Sequence, residues 1–449
     1  MTEHLAPVFP CTALPDDPTL TKLIGLYPQR QKGLWMQRIK IRGGCLAPEH
    51  WNVLADLAEQ HTPGTPLYLT TRQCIEFHNL TEERISLLQR GLAAAGLTGL
   101  GACGDTMRNV TVCPCSGIAD GKPDLQGLAA TVESTLKAFP DIYGLPRKFK
   151  ISFSACPKSC GQPWINDLGF VANPADPGLT FTLIGAGSLG ARPATGISIT
   201  DNLTPEQVPV MALAALRLFN KEGDRMNRRK ARLRHVRERL GDTAFLKQLL
   251  QEFTRSQQEQ PVTDTNKVNA PQTGYSKVSL LNFPCGRIQP QEARSVSEFI
   301  SKTDAHIRIM NHHRLVVYAA DTRAALDELR HDSILRTILS GPDIASCPGT
   351  AFCKHGLVNT HNIEDQLRSN LDHTCNQAIR ISGCPNGCAH TSVGNIGLSG
   401  MLRKDNQGRR SEGFKILEGG GMGLNADLAR THSDFIPADE IVAVIKNMV

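Results

Sequence analysis

The sequence predicts an α+β chain built from two copies of one plan, and three observations carry that reading. Residues 151–170 (ISFSACPKSCGQPWINDLGF) lie over residues 379–398 (IRISGCPNGCAHTSVGNIGL) at one offset of 228, so that Cys156 falls on Cys384, Cys160 on Cys388 and Gly169 on Gly397. Residues 43–59 (GGCLAPEHWNVLADLAE) resemble residues 285–301 (CGRIQPQEARSVSEFIS) at an offset of 242. Strand-type runs and amphipathic helices then follow in the same order in both halves.

Taken in order, residues 43–59 read as a glycine turn, a short extended piece and a helix. Residues 66–77 (PLYLTTRQCIEF) are rich in strand formers, and residues 80–97 (LTEERISLLQRGLAAAGL) space their apolar side chains as a helix does. The second copy repeats this with residues 305–318 (AHIRIMNHHRLVVY) as strand and 322–335 (TRAALDELRHDSIL) as helix. In each copy a mixed region with a cysteine loop comes next, which is α+β order and not the strict alternation of a doubly wound sheet. Residues 251–274, polar and turn-rich, read as the linker between copies. The expected division is therefore 20–98 and 99–250 in the first copy, the linker 251–274, then 275–335 and 336–449 in the second.

Composition narrows the function. With 449 residues and 40% hydrophobic content the chain can bury a large core. No apolar run approaches a membrane span, and the first residues have no basic start followed by an apolar stretch, so neither export nor membrane insertion is expected. Fourteen cysteines then point to a reducing compartment, with the cytoplasm as default, where paired thiols serve metal or redox chemistry. Net charge is a mild +6, and the basic residues concentrate in 225–239 (RMNRRKARLRHVRER). That block lacks aromatic interleaving or any nucleic-acid-binding motif, so no nucleic acid partner is expected.

The cysteines of the second copy are the sharpest signal. Cys347 and Cys353 stand five residues apart in CPGTAFC, and Cys384 and Cys388 follow in GCPNGC. Zinc ribbons use tighter pairs, whereas the five-residue gap favours a wider iron-sulfur cubane. Buried structural thiols are the plain alternative; Gly and Pro beside the cysteines speak for loops wrapped around something.

C-x5-C followed by G-C-P-N-x-C resembles the cluster signature of the sirohaem-containing sulfite and nitrite reductases, from YPQRQKGLWMQRIKIRGG (27–44) to GGGMG (419–423). The resemblance implies a ferredoxin-like half-domain in each copy joined to a mixed α/β domain for sirohaem and cluster. It implies a 4Fe-4S cluster on Cys347, Cys353, Cys384 and Cys388, with Cys388 also ligating the sirohaem iron and Asn386 beside it. It further implies six-electron reduction of a small inorganic anion, sulfite to sulfide or nitrite to ammonia. Electrons would come from an external donor, ferredoxin or a flavoprotein, because no flavin or nicotinamide motif is evident.

By the same resemblance TTRQ, MRNV and LPRKFK supply the anion site, namely Arg72, Arg108, Lys148 and Lys150. Arginine offers an oxyanion a planar fork, and a lysine crowded by cations loses its proton more readily. Residues 230–235 (KARLRH) resemble the segment that reaches the sirohaem carboxylates, which selects Arg232 and Arg234. The first copy departs from the pattern by keeping Cys113, Cys115, Cys156 and Cys160; C-x-C is cramped for two cubane corners, so a relic of duplication is expected in preference to a second cluster. Two other readings stand beside the reductase: a corrin-pathway oxygenase of the same superfamily, resembling precorrin-3B synthase, and a non-catalytic electron-transfer or zinc protein.

Overall fold

The computed structural model describes residues 7–119, 121–175, 178–259, 268, 272, 274–339, 341–372, 375–404 and 408–449. The duplication is explicit in its sheets. In the first copy the strands Thr111–Val112, Ile151–Ser154, Leu168–Ala175, Gly178–Gly185 and Ile197–Leu203 lie side by side in chain order, the first three parallel and the rest antiparallel. In the second copy Ile344–Ser346, Ile379–Ser382, Ile396–Lys404, Arg410–Glu418 and Arg430–Pro437 repeat both the order and the directions. Each sheet packs helices over its own apolar core, Phe149, Phe153, Phe170 and Phe219 in the first and Ile381, Leu398 and Phe414 in the second.

The two ferredoxin-like halves behave differently, because they share one core. Helices Pro48–His61 and Pro290–Thr303 pack against each other and start alike. Each has proline at its first turn, where a missing N–H costs nothing, and each turns the side chain of its third residue back on the cap. The Ala47 N–H donates to His50 Nδ1 at 3.2 Å, and the Gln289 N–H to Glu292 Oε2 at 2.7 Å. The second half lends strand Arg287–Ile288 to the first half's sheet, opposite Tyr68 and Leu67. Reciprocally, Cys45 of the first half bridges Arg308 of the second. This exchange presses the two mixed domains toward one another, and the functional loops meet between them.

One boundary moves. The expected linker 251–274 begins inside helix Asp242–Glu259, whose buried Phe245, Leu249 and Ser256 continue a helical stripe; Arg217 closes the end by bonding Ser256 and Glu259. Residues 260–267 of that linker lie outside the described residues. No helix among the described residues is long and apolar enough to cross a membrane.

Candidate functional site

The site begins with a turn. In residues 70–74 the Thr70 hydroxyl accepts from the Arg72 and Cys74 N–H groups, and Gln73 takes a left-handed φ of 51°. The buried Gln73 side chain donates to the carbonyls of Val112 and Ile309, which pins the turn between both copies. Arg72 is thereby aimed at the first mixed domain, where it donates to Asn166 Oδ1 and the Ile151 carbonyl, both at 2.8 Å. Its Nε is buried without a partner.

Lys148 and Lys150 flank Phe149, which bridges Met107 and is fully buried. Extended backbone alternates its faces, so the two lysines share the side away from that core. Neither ammonium forms an ion pair among the described residues. Burial, then Arg232 and Arg108, lower Lys148 to about 7, with the Cys388 sulfur acting in the opposite sense. Lys150 is lowered well below its ordinary value, by burial and then by Arg72 and Lys148. Arg72 falls to about 9, chiefly by burial, and stays charged at neutral pH.

The structure therefore gathers Arg72, Arg108, Lys148 and Lys150, and reports something the motifs did not. All three guanidinium nitrogens of Arg108 donate to the carbonyls of Ala102 and Gly104. Arg108 anchors that turn and acts on the site through its charge, not through a free fork. Arg232 is bonded through Nε and a terminal nitrogen to Asp167, whose carboxylate is fully buried and also accepts the Lys150 N–H at 2.8 Å. Arg234 instead holds Glu238 and the carbonyl of Arg192. The basic block thus splits: Arg232 turns inward, while Arg228 and Arg237 pair with Asp105 and Asp242 nearer the surface. Five buried or half-buried cations meet one carboxylate, and hydrogen bonds to neutral acceptors leave that charge uncancelled. Such a set asks for an anion.

A small cavity opens in this set, lined by Arg72, Lys150, Asn166, Gln162, Asn311 and His390. Sequence reasoning missed Asn166, Asp167, Asn311 and His390. Asp167 had a signal in the repeat: it overlies Asn395, which accepts the Ala378 N–H just as Asp167 accepts that of Lys150. His390, two residues beyond Cys388, has a buried unpartnered Nδ1, and burial followed by Lys150 and His312 hold it well below the usual imidazole range.

The other wall is the cysteine loop of the second copy. Cys347, Cys353, Cys384 and Cys388 are all free thiols. The Gly383 N–H donates to Cys347 Sγ at 3.1 Å and the His355 N–H to Cys353 Sγ at 3.4 Å, while Asn386 offers its backbone and side chain to Cys384. Burial, then the neighbouring Cys388, push Cys347 up to about 12, and burial also raises Cys353 and Cys384. Buried sulfurs in this state become thiolates only against a cationic centre. Among the described residues no three Cys, His, Asp or Glu side chains converge on a single-ion position. Four soft donors on two loops, three of them accepting N–H groups, suit an iron-sulfur cluster.

The comparisons speak to the same point. Residues 103–257 and 342–449 match the model of the nitrite and sulphite reductase 4Fe-4S domain, and residues 27–95 match that of the nitrite/sulfite reductase ferredoxin-like half domain. The chain belongs to the nitrite and sulphite reductase family. The family's 4Fe-4S domain contains the four cysteines, and the half-domain match ends at residue 95, so the second half-domain is seen in the fold alone. A ferredoxin–nitrite reductase of Leptolyngbya laminosa is 26% identical over 443 residues, covering 93% of this chain and 86% of that protein. A sulfite reductase [ferredoxin] of Mycobacterium tuberculosis is 24% identical over 470 residues, covering 95% and 83%. The solved structure of Mycobacterium tuberculosis NirA superposes with a TM-score of 0.80 at 24% identity, covering 96% of this chain and 87% of that one, which establishes the shared fold.

Proposed function

We propose that this chain reduces sulfite or nitrite by six electrons at a sirohaem coupled to a 4Fe-4S cluster, with ferredoxin as the donor. The observation that carries the proposal is the buried, uncancelled cation set beside Cys388. A nitrite and sulphite reductase that must hold a small oxyanion next to an iron centre needs this arrangement. The relatives named as ferredoxin-dependent support the donor, and a mildly basic protein attracts acidic electron carriers.

In this reading Cys347, Cys353, Cys384 and Cys388 hold the cluster, and Cys388 also faces the sirohaem. When bound, the two groups supply the electrons and an open iron position. Everything else falls to side chains. Arg72, with its unpartnered Nε, and the charge of Arg108 hold the anion; Asn166 fixes the Arg72 fork. Each oxygen lost from the anion leaves as water and consumes protons. Lys148, lowered to about 7, carries a proton at neutral pH and releases it readily, as a general acid should. Lys150, whose burial and cationic neighbours also lower it, adds a hydrogen-bond donor beside it. Asp167 keeps Arg232 inward, where its charge depresses both lysines. Arg232 and Arg234 remain the candidates for the sirohaem carboxylates, although Arg232 reaches them only while sharing Asp167. Fourteen thiols suit a reducing cytoplasm.

The test is steady-state reduction of each anion with a chemical electron donor, comparing kcat/KM, alongside the absorption spectrum. A chlorin-type red band with turnover of either anion supports the proposal. Broad cluster absorption without that band, and no turnover, would return the corrin-pathway oxygenase to first place.

A further inference from the structure

The cysteine loop of the first copy repeats two hydrogen bonds and two backbone kinks of the corresponding loop in the second. The Ala155 N–H donates to Cys113 Sγ at 3.1 Å, as Gly383 does to Cys347. Ser154 Oγ accepts the Gly161 N–H at 3.0 Å, as Ser382 Oγ accepts that of Ala389. Ser159 and Gln162 take left-handed φ angles of 57° and 59° where Gly387 and His390 have 62° and 65°. At Ser159 that conformation comes without the freedom of glycine, so the loop shape is retained against a local cost. The surroundings match too. Cys115 packs with Ile118, Val316, Tyr318 and Met310, which places the first-copy thiols against the second ferredoxin-like half. Cys353 lies correspondingly by Phe352, which stacks on His78 and meets Tyr68 edge-on, both of the first half.

The thiols themselves are spaced differently. Cys113 Sγ and Cys115 Sγ lie 3.6 Å apart, and Cys115 also shares a hydrogen bond with Cys160. Four sulfurs around one tetrahedral zinc at about 2.3 Å stand roughly 3.8 Å from one another, whereas the corners of a cubane hold theirs farther apart. The C-x-C spacing that is too tight for a cubane thus suits one edge of a single-ion site. As protonated thiols the three form a row, Cys113 to Cys115 to Cys160, and do not yet surround a point. Each sulfur swings about a single torsion between staggered positions, and Cys156 stands on the same turn as Cys160, with Cys160 open to solvent for entry.

We propose that Cys113, Cys115, Cys156 and Cys160 bind one thiophilic divalent ion of the zinc class, a second metal site distinct from the 4Fe-4S cluster. Binding releases the thiol protons, gathers the row into a tetrahedron and ties residues 113–119 to the 156–160 turn. The site lies on the first copy's own residues and stands whether or not the reductase assignment does.

The experiment is elemental analysis of the purified full chain together with zinc-edge X-ray absorption, which iron does not obscure. Expected are stoichiometric zinc with a sulfur-only shell near 2.3 Å, and its loss in Cys115→Ser and in the solvent-facing Cys160→Ser. Iron, acid-labile sulfide and the visible spectrum of these variants should stay at the level of the unsubstituted protein. Cys160→Ser guards against misfolding at the more buried position, and a Cys375→Ser control should retain its zinc. Zinc-free protein that fails to take up added Zn2+, zinc retained in both variants, or a doubled acid-labile sulfide content lost on substitution would each overturn the proposal, the last in favour of a second cluster.

Discussion

The hydroxyl of Thr71 donates to the carbonyl oxygen of Cys388 across 3.0 Å, fastening the turn that carries Arg72 to the cysteine loop of the second copy. The two residues belong to opposite copies. Thr71→Val keeps the shape and removes the donor. A neutral hydrogen bond of about 1 kcal/mol holds this register, so the variant should fold normally and lose roughly fivefold in kcat/KM for the anion. Steady-state kinetics on cofactor-loaded protein checks this; unchanged kcat/KM would free the two loops from each other.

Lys148→Met tests the proton donor. Removing a general acid should lower kcat and kcat/KM together by roughly a hundredfold, with sirohaem and iron contents intact. The pH profile gives the sign. Lys148 is protonated below about 7, so donation through it should decline as pH rises through 7, and this limb should vanish in the variant. The same depression means that unfolding takes up a proton between about 7 and the ordinary lysine value of 10.5. Lys148 therefore costs stability below 7 and releases that cost as pH rises across the window.

Gly349 has a φ of 49°, and a Cβ there would stand 2.4 Å from Thr360 Oγ1 and 2.6 Å from the Val358 carbonyl. It sits between Cys347 and Cys353. Gly349→Ala should displace that loop and reduce cluster iron and acid-labile sulfide well below the level of the unsubstituted protein, with far-ultraviolet circular dichroism little changed. Full cluster loading would show that the loop can yield.

Arg232→Met would strand the buried Asp167 carboxylate. Removing one partner of a buried pair costs about 3 to 5 kcal/mol, read as a lower denaturation midpoint in urea. Adding Asp167→Asn should recover much of that loss, because the stranded charge is gone; no recovery would mean that Arg232 stabilises by packing alone.

Acid should weaken two buried carboxylate pairings, one in the first half-domain and one joining the second half-domain to its mixed domain. Glu76, held down to about 2 by Arg38 and His78 against its burial, and Asp343, held to about 2 by Arg380 and Arg314, are depressed below their unfolded values. Their contribution is complete above about 4.5 and is lost as pH falls toward 2. Stability measured by urea at stepped pH should fall across that window, and Glu76→Gln should flatten the fall.

These relationships also mark what the sequence could disclose. The duplication and the 4Fe-4S family were legible because each is written in short contiguous motifs, the repeat at a fixed offset. Lys148 and Lys150 were legible as a pair because extended backbone alternates. The Arg232 pairing was not, since Asp167 lies 65 residues away and no local pattern couples them. Arg108 reads as a free fork in sequence, and only the fold around Gly104 shows its nitrogens occupied. Residues 251–259 look like linker because they are polar; Phe245 and Leu249 upstream carry the helix through them.

The exchange of Arg287–Ile288 for a place beside Leu67 and Tyr68 bears on how the chain is made. These partners are more than two hundred residues apart, and closing so long a loop precedes any reward from the contact. As the polypeptide leaves the ribosome, the sheet of residues 26–80 has an open edge and half a core until residue 288 arrives. During that interval the exposed edge invites pairing with another nascent chain. The first half-domain expressed alone therefore inherits an aggregation hazard that the finished protein does not have.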